Sequence, residues 1–300
     1  MTTEPPNTAD YLLAGGAAGD VVLVDGVRRL TYAQLRSAAG RVAAELAALG
    51  LPPGSRIGVL GANSLFWVAA YLAVMKLGHV AVPLSDKLTP AEVRRNTDLV
   101  GAAAACVDRR ALRRYRSVLG DGFPVVTDGV LDADHAEYWP APAGCDPGAD
   151  AALMFTSGTT SLPRAVRVTH GNIQANTDSI IEYLGLRTDD RVLVILPFFY
   201  CFGASLLHTH LRVGARLVLC TSFVFPETAV ELLERERCTV LAGVPSSFQL
   251  LLRVGSFASR ELPSLRIIQQ AGGRLPDVLI EELEAAKPHA ELFVMYGQTE

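Results

Sequence analysis

The sequence lacks a cysteine framework. Its five cysteines, Cys106, Cys145, Cys201, Cys220 and Cys238, are scattered, odd in number and form no C-x-x-C pair. That argues against a disulfide scaffold or a cysteine zinc site. Cys106, Cys220 and Cys238 lie in or beside apolar runs, where a free cysteine behaves as a small hydrophobe. The pattern suits a reducing compartment, so a cytoplasmic protein is expected. A basic excess is missing too. Lysine and arginine number 27 against 31 acidic residues, a net charge of −4. No nucleic-acid partner is expected, because such proteins carry a basic stripe. The one dense basic cluster, Arg109, Arg110, Arg113, Arg114 and Arg116, has the spacing of a solvated helix face. The opening MTTEPPNTAD has no basic segment followed by an apolar one, so no secretory signal is read. Between Arg191 and Arg212 about 20 residues carry no Asp, Glu, Lys or Arg, enough to cross a bilayer. Pro197 and Gly203 interrupt that stretch, and Tyr200, His208, Thr209 and His210 add polarity. A buried strand over 192–196, a loop and a helix explain it better than a membrane span, and the two histidines are expected to be structural or partly exposed rather than metal ligands.

What is present is a regular alternation. Half of the 300 residues are hydrophobic, so a large core is expected. Short Val-, Ile- and Leu-rich runs at 21–24, 56–60, 80–84 and 102–107 read as strands. Between them, 32–49 places Leu35, Ala39, Val42, Leu46 and Leu49 on one helical face, with Thr31 and Gly50 as caps. Thr89-Pro90-Ala91-Glu92 has the layout of a capping box with proline at the first helical position. Further on, strands are expected at 151–156, 165–169, 192–196, 215–221, 238–242 and 265–269. Helices are expected at 172–183, 204–212, 227–237 and 246–253. Strand runs buried on both faces between helices imply an α/β fold with mostly parallel sheets. The stretch 128–150, rich in Pro, Gly, Ala and Asp, is the expected break between two α/β subdomains, 1–150 and 151–300. No repeat of 20–50 residues is present.

The most informative segment runs Leu153-Met154-Phe155-Thr156-Ser157-Gly158-Thr159-Thr160-Ser161-Leu162-Pro163-Arg164. A strand delivers the small residues Thr156, Ser157, Gly158, Thr159 and Thr160, all hydroxylic except the glycine. Such a loop can aim backbone N–H groups and hydroxyls at one anion, because no large side chain blocks the approach. Arg164 adds a permanent positive charge, and phosphate suits this donor set. The loop is not the G-x-x-x-x-G-K-[ST] type. A plain polar hairpin turn remains the alternative for these residues taken alone.

The segment resembles the signature loop, T-S-G-T-T-G-x-P-K, of the adenylate-forming (AMP-binding) superfamily, which includes acyl-CoA synthetases, adenylation domains of nonribosomal peptide synthetases and firefly luciferase. Ser161 stands where that loop usually has Gly, and Arg164 where it has Lys. Four other segments match the family in order. They are Leu30-Thr31-Tyr32-Ala33-Gln34-Leu35, the run from Lys76 to Leu84, Gln270-Ala271-Gly272-Gly273-Arg274-Leu275, and Tyr296-Gly297-Gln298-Thr299-Glu300. A fifth, Pro197-Phe198-Phe199-Tyr200-Cys201-Phe202-Gly203, is similar to the segment beside the acyl site, with Tyr200 where His is frequent. The resemblance spans essentially the whole chain.

It implies the large N-terminal domain of an adenylate-forming enzyme, cut before its C-terminal part. The family continues past the Y-G-x-T-E motif and ends in a small mobile domain with a catalytic Lys, so this piece alone is expected to be inactive. By resemblance Thr156, Ser157, Gly158, Thr159 and Thr160 would hold the β- and γ-phosphates of ATP. Gly272, Gly273, Tyr296 and Gly297 would line the adenine slot. Thr299 would contact the α-phosphate and Glu300 would bind Mg²⁺; Thr156, Arg164, Thr299 and Glu300 form the implied catalytic set. Tyr200, Phe202, Gly203, Val244 and Ser246 would line the acid pocket. The implied reaction converts an acid, most simply a carboxylic acid, and ATP to an acyl-adenylate and pyrophosphate, followed by transfer to CoA. A stand-alone adenylation enzyme that loads a carrier protein or activates an unusual oxyacid stays open, as does a non-catalytic nucleotide-binding module. No G-x-S-x-G elbow is present, which weakens a serine-hydrolase reading.

Overall fold

The computed structural model describes residues 6–120, 122–132, 138–141, 145–156 and 163–300. The chain runs through α1 (Thr8–Leu13), β1 (Val21–Asp25), β2 (Arg28–Thr31), α2 (Tyr32–Ala48), β3 (Arg56–Leu60), α3 (Leu65–Lys76) and β4 (Val80–Leu84). It continues with α4 (Pro90–Val100), β5 (Ala104–Val107), α5 (Arg109–Leu119), β6 (Val125–Thr127), β7 (Asp150–Thr156), β8 (Arg164–Thr169) and α6 (His170–Leu184). The last part holds β9 (Arg191–Val194), α7 (Cys201–Val213), β10 (Arg216–Leu219), α8 (Pro226–Arg235) and β11 (Val240–Gly243). It closes with α9 (Pro245–Arg253), β12 (Ile267–Gln270), α10 (Asp277–Ala286) and β13 (Glu291–Val294). The alternation expected from the apolar runs is therefore present, and most boundaries fall within a few residues of the expected ones. The capping box at α4 is formed as its sequence predicts: Thr89 Oγ1 accepts from the Glu92 N–H, and the Glu92 carboxylate accepts from the Thr89 N–H at 2.7 Å.

The chain forms two compact units. One holds residues 1–14 and 32–178, and the other holds 15–31 and 179–298. The first is built on a six-stranded sheet of order β6-β5-β3-β4-β7-β8, parallel except for β8. The second has a seven-stranded sheet of order β13-β12-β11-β9-β10-β1-β2, parallel except for β2. The division expected at 150 is not where the units part. β7 hydrogen-bonds beside β4, and β8 pairs back on β7, so 151–178 stay with the first sheet. The hairpin of β1 and β2 leaves the first unit to extend the second sheet alongside β10.

Helix α3 carries no periodic signal. Every one of its residues from Leu65 to Lys76 is buried, so apolar side chains surround it on all faces and no stripe is visible in the sequence. Ser64 caps its start, accepting from the Trp67 N–H at 3.2 Å. At its other end the buried Lys76 ammonium donates to Asp10 at 2.6 Å, which ties α1 to the first unit. The arginines of α5 are all exposed, as its spacing predicts, and Arg109 pairs with Asp128 and Asp132. Its inner face buries Ala111, Tyr115 and Leu119 against the first sheet's core. Among the described residues no helix is long and apolar enough to cross a membrane. The stretch between Arg191 and Arg212 is β9, a connection and most of α7. None of the five cysteines is in a disulfide.

In the second unit, one buried carboxylate links the starts of three neighbouring strands. Asp190 precedes β9, Thr239 precedes β11 and Arg266 precedes β12. Thr239 Oγ1 donates to Asp190 Oδ1 at 2.6 Å, Arg266 Nε donates to the same oxygen at 2.9 Å, and Arg266 Nη2 donates to Oδ2. The Arg187 N–H supplies a further donor at 2.7 Å, and the Arg191 N–H donates to Thr239 Oγ1 at 2.9 Å. The Asp190 side chain is 1% exposed. Burial pushes its carboxyl up, but the bonds from Arg266, Thr239 and the Arg187 N–H outweigh that and hold it below the usual carboxylate range. Removing one member of a buried, hydrogen-bonded pair costs several kcal/mol, because the partner is left uncompensated.

Asp190→Asn is therefore expected to lower unfolding free energy by about 3 kcal/mol in urea titration. The pH dependence follows from the depressed carboxyl. The stabilisation from Asp190 is complete above the unfolded carboxylate value of about 4, and it is lost as pH falls through the lower folded value. The difference in stability between wild type and Asp190→Asn should accordingly shrink in acid.

Candidate functional site

The second unit places its candidate residues in one row. Strands β9, β11, β12 and β13 are adjacent and parallel, so their carboxyl ends share one edge of the sheet. In open α/β sheets that edge is where connections are free to form ligand sites. Tyr200, Phe202 and Gly203 lie on the connection from β9 and the first turn of α7. Val244 and Ser246 lie at the start of α9, directly after β11. Gly272 and Gly273 follow β12, and Tyr296 and Gly297 follow β13. Nine residues spread over nearly 100 positions are thus brought to one sheet edge by strand order.

Close approach of backbone to backbone explains the glycines. A Cβ on Gly203 would lie 2.0 Å from the Pro197 carbonyl oxygen, so the first turn of α7 can seat against that carbonyl only without a side chain. Gly272 has φ +80°, a left-handed conformation that favours glycine, and an added Cβ would meet Val244 Cγ1 at 3.0 Å. A Cβ on Gly273 would meet Pro245 Cγ at 3.4 Å. The Gly272–Gly273 turn therefore rests on Val244 and Pro245 as a bare backbone ledge, and both glycines are exposed. The sequence pointed to the glycines and to Gly243-Val244-Pro245-Ser246 as a second wall, but not to the contact of Pro245 with Gly273. A half-buried helix-opening proline carries no sign in the sequence of contact with a turn nearly 30 residues on.

Tyr296 is 90% exposed. A phenol ring held that far out of the core gains little from folding, and it offers a flat apolar face. Tyr200 is also exposed, and its ring lies 4.9 Å from that of Phe199, whereas Phe198 beside them is fully buried. Thr299 is half-buried and Glu300 exposed. His208 and His210 of α7 are buried, and desolvation pushes both down to about 4, so each is neutral near pH 7. Among the described residues no three His, Cys, Asp or Glu side chains form a metal-binding group.

The first unit carries Thr156 and Arg164. They are register partners at the end of the antiparallel β7–β8 pair that the signature segment connects, with Thr156 half-buried and Arg164 exposed. The signature segment thus joins two hydrogen-bonded strands. Ser157, Gly158, Thr159 and Thr160, with Ser161, lie outside the described residues.

The family described as AMP-binding enzyme matches residues 14–300. Among relatives, the chain is 33% identical over 298 residues to 3-[(3aS,4S,7aS)-7a-methyl-1,5-dioxo-octahydro-1H-inden-4-yl]propanoyl:CoA ligase of Mycobacterium tuberculosis (strain ATCC 25618 / H37Rv), covering 91% of this chain and 58% of that protein. It is 30% identical over 300 residues to 3-hydroxybenzoate–CoA ligase of Aromatoleum sp. (strain CIB), covering 93% of this chain and 57% of that protein. The chain thus spans little more than half the length of these curated relatives. Among solved structures, VinN in complex with L-aspartate superposes with a TM-score of 0.88 at 27% identity, covering 99% of this chain and 77% of that one.

The contact at Gly203 is open to a direct test. Gly203→Ala forces a Cβ into the Pro197 carbonyl and should destabilise the fold by about 2–3 kcal/mol, read as a lowered thermal midpoint. Ser205→Ala, in the same helix, changes no such contact and should stay within about 1 kcal/mol of wild type.

Proposed function

The chain belongs to the AMP-binding enzyme family, matched over 14–300, and from that premise we propose that the whole protein activates a carboxylic acid with ATP and passes the acyl group to CoA. The observation that carries this reading is the row of turns at the carboxyl ends of β9, β11, β12 and β13. It supplies a side-chain-free ledge, an exposed aromatic face and a neighbouring pair of apolar walls in linear order. The names of the two ligases above support CoA as the acceptor.

In this reading a purine lies on the Gly272–Gly273 ledge and Gly297, against the ring of Tyr296. The acid sits by Tyr200, Phe202, Gly203, Val244 and Ser246. Thr156, Ser157, Gly158, Thr159 and Thr160 hold the β- and γ-phosphates, with the charge of Arg164 in support, and Thr299 contacts the α-phosphate. The reaction forms one bond, from an acid oxygen to the α-phosphorus, and breaks one, releasing pyrophosphate with the electron pair. Both reactants are anions, so positioning and charge stabilisation must supply most of the catalysis. No side-chain nucleophile is needed. Mg²⁺ is commonly held by one or two carboxylates plus substrate phosphates, so the lone exposed carboxylate of Glu300 fits that ion without a cluster of protein ligands. Bound there, it would neutralise phosphate charge.

A second reading is amino-acid activation, favoured by the likeness to VinN, whose structure contains L-aspartate. One assay separates them: acid-dependent ATP–pyrophosphate exchange by the full-length protein with Mg²⁺ and aryl, fatty, alicyclic and amino acids. Exchange with an aryl, fatty or alicyclic acid supports the first reading, exchange with amino acids alone supports the second, and none with any acid overturns both. Tyr296→Ala should raise the KM for ATP roughly tenfold, the loss of one base–aromatic stack, and leave the KM for the acid unchanged.

A further inference from the structure

We propose that Gln270, at the end of β12, is a positioning residue that sets the height and tilt of the Gly272–Gly273 ledge for the nucleotide base; the proposal rests on the reading of that ledge as the base site. Gln270 is completely buried, in a strand whose other positions are Ile267, Ile268 and Gln269. Its side chain turns forward along the chain, and Nε2 donates to the Gly273 carbonyl at 2.8 Å. That bond closes a ring across Ala271 and Gly272, the residue at φ +80°. The ledge is thus held from two sides: Val244 and Pro245 touch it where side chains would be, and Gln270 fixes the carbonyl at its far end.

The same side chain makes a poor stabiliser. Oε1 of Gln270 is buried without any hydrogen-bond partner. The amide cannot be turned to relieve this, because the Gly273 carbonyl can only accept and so requires the nitrogen. One bond is gained while one acceptor is stripped of water, and the second effect offsets the first. An apolar residue of similar length would fold as well or better at this position. A buried amide kept on such terms is accounted for by what it holds: two glycines that have no side chains of their own to define the turn. The adjoining Gln269 points to the opposite face of the sheet and has an unpartnered Nε2, but it makes no bond to the ledge. It is the matched control.

The test compares Gln270→Met, Gln270→Asn and Gln269→Met in the full-length protein, reading AMP affinity by calorimetry and the thermal midpoint on the same samples. Met removes the donor at constant length, and Asn keeps a donor too short to reach Gly273. Both Gln270 variants should bind AMP roughly five- to tenfold more weakly, the loss expected when one ordering hydrogen bond goes. The thermal midpoint of Gln270→Met should equal or exceed wild type, whereas Gln270→Asn, with its buried amide unpaired, should melt lower; Gln269→Met should bind AMP normally. Unchanged AMP affinity in both Gln270 variants overturns the proposal and leaves the base site standing. A Gln270→Met midpoint lowered by several degrees also overturns it, since Gln270 is then a stability residue. A wild-type protein that binds no AMP overturns the base-site reading itself, and the proposal with it.

Discussion

The Asp190 carboxylate is the constraint on which the second unit's site depends. It takes donors from Thr239 and Arg266, each standing one residue before its strand, and itself stands one residue before β9. Three short parallel strands are therefore tied together at their amino ends. A strand of four residues advances only about 13 Å, so whatever fixes one end fixes the other. Tyr200, Val244 and Gly272 come off the far ends of those strands, and their alignment follows from a bond made at the opposite edge of the sheet. A slip of one residue in any of the strands would also exchange its two faces.

At the far edge, absence of side chains does the shaping. Gly203 lets α7 start against the Pro197 carbonyl, and Gly272 and Gly273 lie against Val244 and Pro245. These contacts seat the start of α7 on its own connection, and the Gly272–Gly273 turn on the start of α9, with little side-chain bulk between them. The aromatic groups Tyr200 and Tyr296 then stand exposed beside bare backbone. That combination suits flat, polar-edged ligands: ring faces for stacking and backbone groups for the edges.

Much of this was legible in the chain. The runs at 56–60 and 80–84 became β3 and β4 at those residues, and the capping box opened α4 where its spacing put it. These elements were readable because one physical rule governs each: alternation of buried runs, or satisfaction of free N–H groups. Helix α3 was hidden because burial on every side erases the periodicity that marks a helix. The short β13, with the pattern exposed, half-buried, half-buried, exposed, offered too little apolar sequence to be seen, although it carries Tyr296 at its end. The boundary near 150 misled for a different reason. Composition marks a loop well, but a loop rich in Pro, Gly and Asp need not separate units when the next strand returns to the same sheet.

The sequence by itself determined the identities and spacings: small hydroxylic residues after β7, paired glycines after β12, and a tyrosine before Thr299 and Glu300. Side-chain chemistry and local backbone preference are properties of single residues and their near neighbours, so they can be read along the chain. Only the tertiary structure decided the order of the turns along one sheet edge, the support of Gly273 by Pro245 and by Gln270, and the burial of Asp190 among its donors. Those facts join residues far apart in the chain, or turn on how one side chain is buried. They follow from strand pairing, which no local rule contains.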